Sequence, residues 1–482
     1  MVSTDNIFPT PRGFAPFPSL VAGYPVLPIV GGEQQIALGA YYASYLDGSS
    51  RIIVGTQKKL YIPSLSGWVD FSGGQTFSGT IATRWRFAQF GNDTIAVNGV
   101  DLPQVASNVA ASFLPLAGGP PPGVTVAATG LFVMMGGTSS NGAEWVGSAL
   151  GRDDSWTPDP ATQAARGVLT ATPGDITAIS RLLDNFLLFK GRSMYMGRYV
   201  GSGGIVWSMD LVSDVAGAVS REAVVSMGDY VVFMGQDNLY KYDGAGGPQD
   251  LATPLRHFMF DVGDLDQNYG YKVIGRYDRA REIVVWHYPS TRATAAGTID
   301  SWIAWSPVSN QWTQGALDIE AVILPEITVS DGVTYDELGQ LFATYGGMNQ
   351  QTYDDLTIAG NAKMQQGLFR TDHRAYFFTG PVTNGKFRTG NLGTDDDYNF
   401  SLITCIRPRF ATAPISGGLV VKGYGTDQSG KTKVYRDEAP FNVATGRVNL
   451  RQSARFHAFE LSMNSYCEIE AFDIEATPAG VR

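Results

Sequence analysis

The side chains that most often ligate metals or pair as nucleophile and base are scarce in this chain: four histidines (His257, His287, His373, His457) and two cysteines (Cys405, Cys467). No two histidines stand at metal-ligand spacing, and no HExxH element occurs. A G-x-S-x-G nucleophile elbow, a phosphate-binding P-loop and a dinucleotide-type glycine turn are also lacking. The acidic pairs and runs Asp153-Asp154, Asp354-Asp355 and Asp395 to Asp397 sit in polar loop contexts and read as solvated turns. Asp261, Asp264 and Asp266 have the density of a calcium loop but not its central glycine or terminal glutamate, so they read as the wet edge of a helix. Each cysteine lies in a strand-like run (SLITCIRPRF, NSYCEIEAF), and two buried free thiols are expected rather than a disulfide. These residues assign no catalytic, cofactor-binding or metal position, and the expectation is a protein that is not an enzyme and carries no cofactor. An enzyme of a repeated β fold would draw carboxylates and arginines from several units, a convergence that spacing along one chain does not display.

The elements that would hold any site are strands. Gly (57 residues) and aromatic side chains (25 Phe, 22 Tyr, 9 Trp) are plentiful, the composition of many tight turns joining flat, bulky strands. A unit of apolar strand, glycine turn and second strand recurs in RIIVGTQKKLYI (51–62), DNFLLFKGRSMYM (184–196) and GDYVVFMGQDNLYKYD (228–243), with weaker copies at 90–99 and 130–137. Its glycines, Gly55, Gly99, Gly136, Gly191 and Gly235, are 44, 37, 55 and 44 residues apart. Four-stranded propeller blades repeat at roughly 40–50 residues. Two further units, 281–313 and 373–388, keep the hairpin logic, the second around Thr383-Asn384-Gly385. The expected fold is therefore an all-β, six- or seven-bladed β-propeller with one short inserted helix and a terminal antiparallel β region.

Trp68, Trp156 and Trp312 each follow a turn, where a ring on an outer strand would fill the widening space between blades. The helix is expected from Thr253 as N-cap and Pro254 at the first turn, with Leu255, Phe258, Val262 and Leu265 on its apolar side. Three regions follow: a Pro-rich N-terminal arm (1–40), the propeller (41–394), and a terminal antiparallel sandwich or set of ring-closing strands (395–482).

Net charge is −10 with only 17% charged residues, and no basic stripe is visible, so a protein that grips DNA phosphates is not expected. Residues 14–30 are uncharged, but Pro16, Pro18, Pro25 and Pro28 exclude a spanning helix. The N-terminus lacks the charged-then-apolar layout of a signal peptide.

Several segments in order resemble the tail nozzle proteins of short-tailed bacteriophages, a family also called packaged-DNA stabilisation or tail hub proteins. They are PRGFAPFPSLVAGYP with SYLDGSSRIIVGTQKKLYIPSLSGWVDFSGG, then RWRFAQFGNDTIAVNGVDLPQV (84–105) and VGSALGRDDSWTPDPATQA (146–164). GDYVVFMGQDNLYKYDG and DLDQNYGYKVIGRYDRAREIVVWHYPS are similar to the family's central blades, and SARFHAFELSMNSYCEIEAFDIEATPAGVR to its ending, with Arg455 and His457 in an arginine-x-histidine position. The resemblance implies a structural virion protein: a homohexameric ring in the tail, assembled in the host cytoplasm. Its partners would be a head-to-tail adaptor above and fibre, spike or plug proteins below, with DNA passing transiently through a central channel and no stable membrane insertion. The rival expectation is a carbohydrate-binding or polysaccharide-degrading propeller of a tail spike or receptor-binding protein.

Overall fold

The computed structural model describes residues 3–64, 67–202, 204–251, 253–323, 366–382, 384–393, 399–415, 417–428 and 431–480. Within them the chain is all-β. Seven four-stranded antiparallel sheets, arranged as propeller-like blades, occupy the stretch from Gly39 to Phe377. The first six run in simple up-and-down order and begin at Gly39–Ser44, Arg86–Phe90, Gly123–Ala128, Ile176–Leu182, Val224–Ser226 and Ile274–Asp278. Short hairpins suffice for this order, because each strand pairs with the next one made.

The seventh sheet breaks the pattern. Ala321–Ile323, Gly367–Phe369 and Ala375–Phe377 supply three strands, and the outermost is Val21–Ala22 from the N-terminal arm, with Ala22 opposite Tyr376 and Val21 opposite Phe377. Neighbouring sheets share apolar cores. One joins Ala88, Ile95 and Val97 of the second sheet to Val126, Val133 and Met135 of the third. Another joins the seventh sheet (Ala321, Ile323, Phe369) to the first (Ala40, Ile52, Val54). Each fully buried Leu, Ile, Val or Phe adds about 1.5–3 kcal/mol by leaving water. Trp85 shows how tightly the units fit. Its indole nitrogen donates to the Thr56 carbonyl at 2.8 Å, and a Cβ on Gly39 or Gly55 would lie 2.6 or 2.3 Å from Trp85 atoms.

The tryptophans take the packing role expected of them. Trp68 and Trp312 lie on the fourth strands of the first and sixth sheets. Trp68 reaches the Phe369 ring of the seventh sheet at 5.6 Å, and Trp312 stacks on Trp286 at 6.2 Å. Trp156 lies not on an outer strand but in the long connection before the fourth strand of the third sheet, buried in the core shared with the second.

Two more sheets form a second module around one core that includes Ile7, Phe387, Ile406, Val421, Phe459 and Ile469. Most of their strands come from 385–480, but Ser3–Asp5 edges one sheet and Ile7–Pro9 with Phe14–Pro16 edges the other. Phe8, Ala15 and Phe17 also pack on Ile283, Val285 and Trp302 of the sixth blade. Cys405 and Cys467 are buried and unbonded in this module.

Two local expectations fail. Asn384 has the left-handed φ (54°) of a turn, yet the strands on either side are not a hairpin. Ala375–Phe377 belongs to the seventh blade, and Gly385–Arg388 pairs with Phe456–Met463 in the second module. Asn-Gly supplies the bend, but the strand that follows finds more apolar surface elsewhere. The helix also differs. Thr253–Arg256 is a single α turn continued as a π turn over His257–Asp261, with Thr253 inside it. Leu255, Phe258 and Leu265 pack on the core as expected, together with Met259, but Val262 is two-thirds exposed. Asp264, expected on the wet edge, is buried: its carboxylate accepts from the Tyr288 hydroxyl and from Arg292 Nε, both at 2.7 Å. A buried carboxylate persists only when paired in this way. Asp266 caps the following 3-10 turn by accepting from the Asn268 amide.

Candidate functional site: an arginine cluster at the inner edges of the blades

The residues singled out by type do not come together. His257 is exposed and lies 3.4 Å from Asp261. His373 Nδ1 is 2.6 Å from Glu320. His457 is buried in the second module, its ring nitrogens 2.8 Å from Ser401 Oγ and 2.9 Å from Gln452 Nε2, and burial holds its pKa below the ordinary value. Arg455 lies over the Phe400 ring at 5.1 Å. His287 stands alone on the second strand of the sixth blade, with neither ring nitrogen hydrogen-bonded. Asp154 is exposed and paired with Arg152 at 2.8 Å. Asp354-Asp355 and Asp395 to Asp397 lie outside the described residues. Among the described residues no group of three or more His, Cys, Asp or Glu is placed to hold a metal ion.

What the fold does assemble is arginine. Arg84 and Arg86 stand at the head of the second blade, Arg221 and Glu222 just before the fifth, and Arg276 within the first strand of the sixth. First strands are the ones that meet at the inner edge: that of the second blade touches those of the first and third, and that of the seventh touches the first. Arg221 Nη1 donates to the Arg84 carbonyl at 2.6 Å, although 137 residues separate them. Arg84 Nη1 in turn donates to the Glu320 carbonyl, at the head of the seventh blade, at 3.1 Å. Arg276 Nη2 donates to Glu222 Oε1 at 2.5 Å, and Arg86 Nη1 lies 3.8 Å from the same oxygen. The Glu222 main chain is fixed as well, since its carbonyl accepts from the Gly275 amide at 2.7 Å.

Two guanidiniums, those of Arg276 and Arg86, thus meet the Glu222 carboxylate, and Arg84 and Arg221 are held nearby on main-chain carbonyls. Burial alone would push the Glu222 carboxyl up, but Arg276, Arg86 and Arg84 together hold it below the usual range. Burial pushes Arg84 and Arg86 down, and Arg221 down to about 10, against the pull of Glu222. The Nε atoms of Arg84, Arg86 and Arg276 have no hydrogen-bond partner. Glu320 also acts on Arg84; burial raises its pKa, and its side chain is engaged by His373 and the Ala37 amide.

Beside the cluster lies an open cavity of about 360 Å³. Arg86 and Arg276 line it with Tyr41 and Tyr42 of the first blade, Ser226 of the fifth and Arg279 of the sixth. Arg276 is 95% buried and Arg86 one-fifth exposed. Sequence reasoning missed this site because its arginines come from three blades and their convergence is not displayed by spacing along the chain. The available signal was an arginine at or near the start of an apolar strand in TRWRF, SREAVV and VIGRY.

No protein-family model matches the chain, and no curated protein does. Among solved structures it is similar to the computationally designed protein Ika8, with a TM-score of 0.41 and 11% identity over 78% of this chain and 95% of that one. It is also similar to the extracellular domain of a hybrid two-component system from B. thetaiotaomicron, with a TM-score of 0.42 and 9% identity over 87% of this chain. The chain spans 47% of the length of that second protein. Both likenesses are too distant to bear on function.

Proposed function

We propose that this chain is a structural virion protein, a subunit of the ring-shaped tail nozzle of a short-tailed bacteriophage, whose seven blades close into a β-propeller. Closure is supported by the core shared between the seventh and first sheets and by the arm strand that completes the seventh. The observation that carries the reading is the path of the N-terminal arm. Within residues 3–22 it gives a strand to one sheet of the second module, two to the other, and one to the seventh blade. An arm that staples two modules makes a subunit that transmits force without coming apart, as a conduit under DNA pressure requires. The order of nozzle-like segments along the sequence supports the same reading.

In this reading six copies form a closed ring through head-to-tail contacts, with an adaptor above and fibre, spike or plug proteins below. DNA runs between subunits, because the cavity at the arginine cluster, about 360 Å³, is far too small for a duplex. The test is light scattering and electron microscopy of the purified protein, alone and with the adaptor of the same virus. Rings, or rings nucleated by the adaptor, are expected. A chain that stays monomeric and ignores the adaptor refutes the proposal.

A further inference from the structure

The arginine-lined cavity between the first, second, fifth and sixth blades has the composition of an anion site, and we propose that it binds a small ligand through a carboxylate or phosphate group. The charge balance comes first. Arg84, Arg86, Arg221 and Arg276 gather where only Arg86 and Arg276 meet a carboxylate, that of Glu222, and the nearby Glu320 is already engaged by His373 and the Ala37 amide, in a region mostly shielded from water. Buried charge is tolerated when it is paired, and an excess of guanidiniums calls for a counter-charge. The unused donors come second. Arg276 lines the cavity, is 95% buried, and its Nε has no partner; the Nε of Arg86, which also lines it, has none either. Guanidinium donors are arranged as a fork that matches the two oxygens of a carboxylate or phosphate.

The walls set the size and remaining chemistry of the ligand. A cavity of about 360 Å³ falls within the ~300–1,000 Å³ range of small-molecule sites and is far too small for a DNA duplex. Tyr41, Tyr42, Tyr277 and Ser226 line it. A sugar acid or sugar phosphate combines an oxyanion with a body that can lie against such rings. Arg279, exposed at the mouth, adds a cation on the entry side. This inference stands apart from the nozzle proposal, and neither falls with the other.

The test is calorimetric titration of the full chain at low salt with glucuronate and, separately, with glucose 6-phosphate. Saturable one-site binding of either probe is expected, and the tighter of the two identifies the preferred oxyanion. Arg276→Met should weaken it about ten- to hundredfold, the worth of a charge-assisted pair. Glu222→Gln should act oppositely, tightening binding several-fold by removing the competing carboxylate; a residue that merely holds the fold has no reason to strengthen binding when lost. Arg279→Ala, at an exposed position, should weaken binding a few-fold and serves if the buried variants do not fold. Absence of saturable binding of both probes at millimolar concentration overturns the proposal, as does wild-type affinity in every variant that folds.

Discussion

His287 makes the stability of this protein acid-sensitive in a calculable way. It is 3% exposed, neither ring nitrogen is hydrogen-bonded, and Arg276 two strand positions from its pairing partner adds a like charge. Burial first, and then Arg276, push the imidazole pKa down to about 3. An unfolded histidine titrates near 6.5. Between those values the unfolded chain binds a proton that the folded chain refuses, so stability falls as pH falls through this window. Each unit of difference is worth about 1.4 kcal/mol, which gives roughly 2 kcal/mol lost at about pH 5 relative to about pH 7 and roughly 4 kcal/mol by about pH 3. His287→Leu removes this one titration and leaves every other acid-sensitive group in place. Urea unfolding of both proteins, followed by tryptophan fluorescence at the two higher pH values, isolates the histidine as a difference of differences. The wild type should lose about 2 kcal/mol more than the variant. If both lose the same, His287 is protonated in the folded state and the burial argument is wrong.

Phe17→Ala should cost about 3–5 kcal/mol, because a large buried ring is lost and its pocket cannot collapse. Phe17 lies 4.8 Å from the Phe8 ring, 5.3 Å from Trp302 and 5.4 Å from Phe378. Hydrogen exchange should show Val21–Ala22 and Tyr376–Phe377 opening first, and unchanged protection there would mean that the arm is not the clasp. Asp264→Ala should cost about 2–3 kcal/mol by stranding the Tyr288 hydroxyl and the Arg292 guanidinium, read as a lower urea midpoint. An aromatic disulfide reagent should leave native Cys467 unlabelled, since burial pushes its thiol up to about 12 and only the thiolate attacks. Cys467 should label fully in denaturant, and rapid labelling of the folded protein would contradict its burial.

The blades were legible because they are local. In 184–196 and 228–243 each strand pairs with the next one made, so apolar runs and turn glycines report the contacts themselves. The seventh blade was not legible in the same way. Its outermost strand is Val21–Ala22, more than 350 residues before its partner Phe377, and no short-range pattern announces so distant a pairing. Asn384-Gly385 misled for the same reason, since a turn signal fixes a bend and leaves the partners of the flanking strands to tertiary packing. Asp264 read as wet because its burial depends on Arg292, 28 residues on, and on Tyr288. A carboxylate's environment belongs to the folded surface around it and not to its neighbours in sequence.

The arginine cluster is the strongest case of this limit and the feature most in need of a physical reason. An acidic chain, net −10, gathers Arg84, Arg86, Arg221 and Arg276 around one glutamate where its blades meet. Packing does not demand this, because ion pairs of this kind are often replaced by apolar side chains without loss of stability. Elsewhere the interior follows the usual economy: Lys190, almost wholly buried, donates to the carbonyls of Leu169 and Thr172 at 2.7 Å. At the cluster three Nε donors have no partner, and two of them belong to arginines, Arg86 and Arg276, that line a cavity. Partnerless Nε atoms also occur at Arg370, Arg388 and Arg447, so what sets the cluster apart is the gathering of four arginines beside a cavity. On that ground the blades' inner edge, rather than any histidine or acidic run, is where the chemistry of this protein should be sought first.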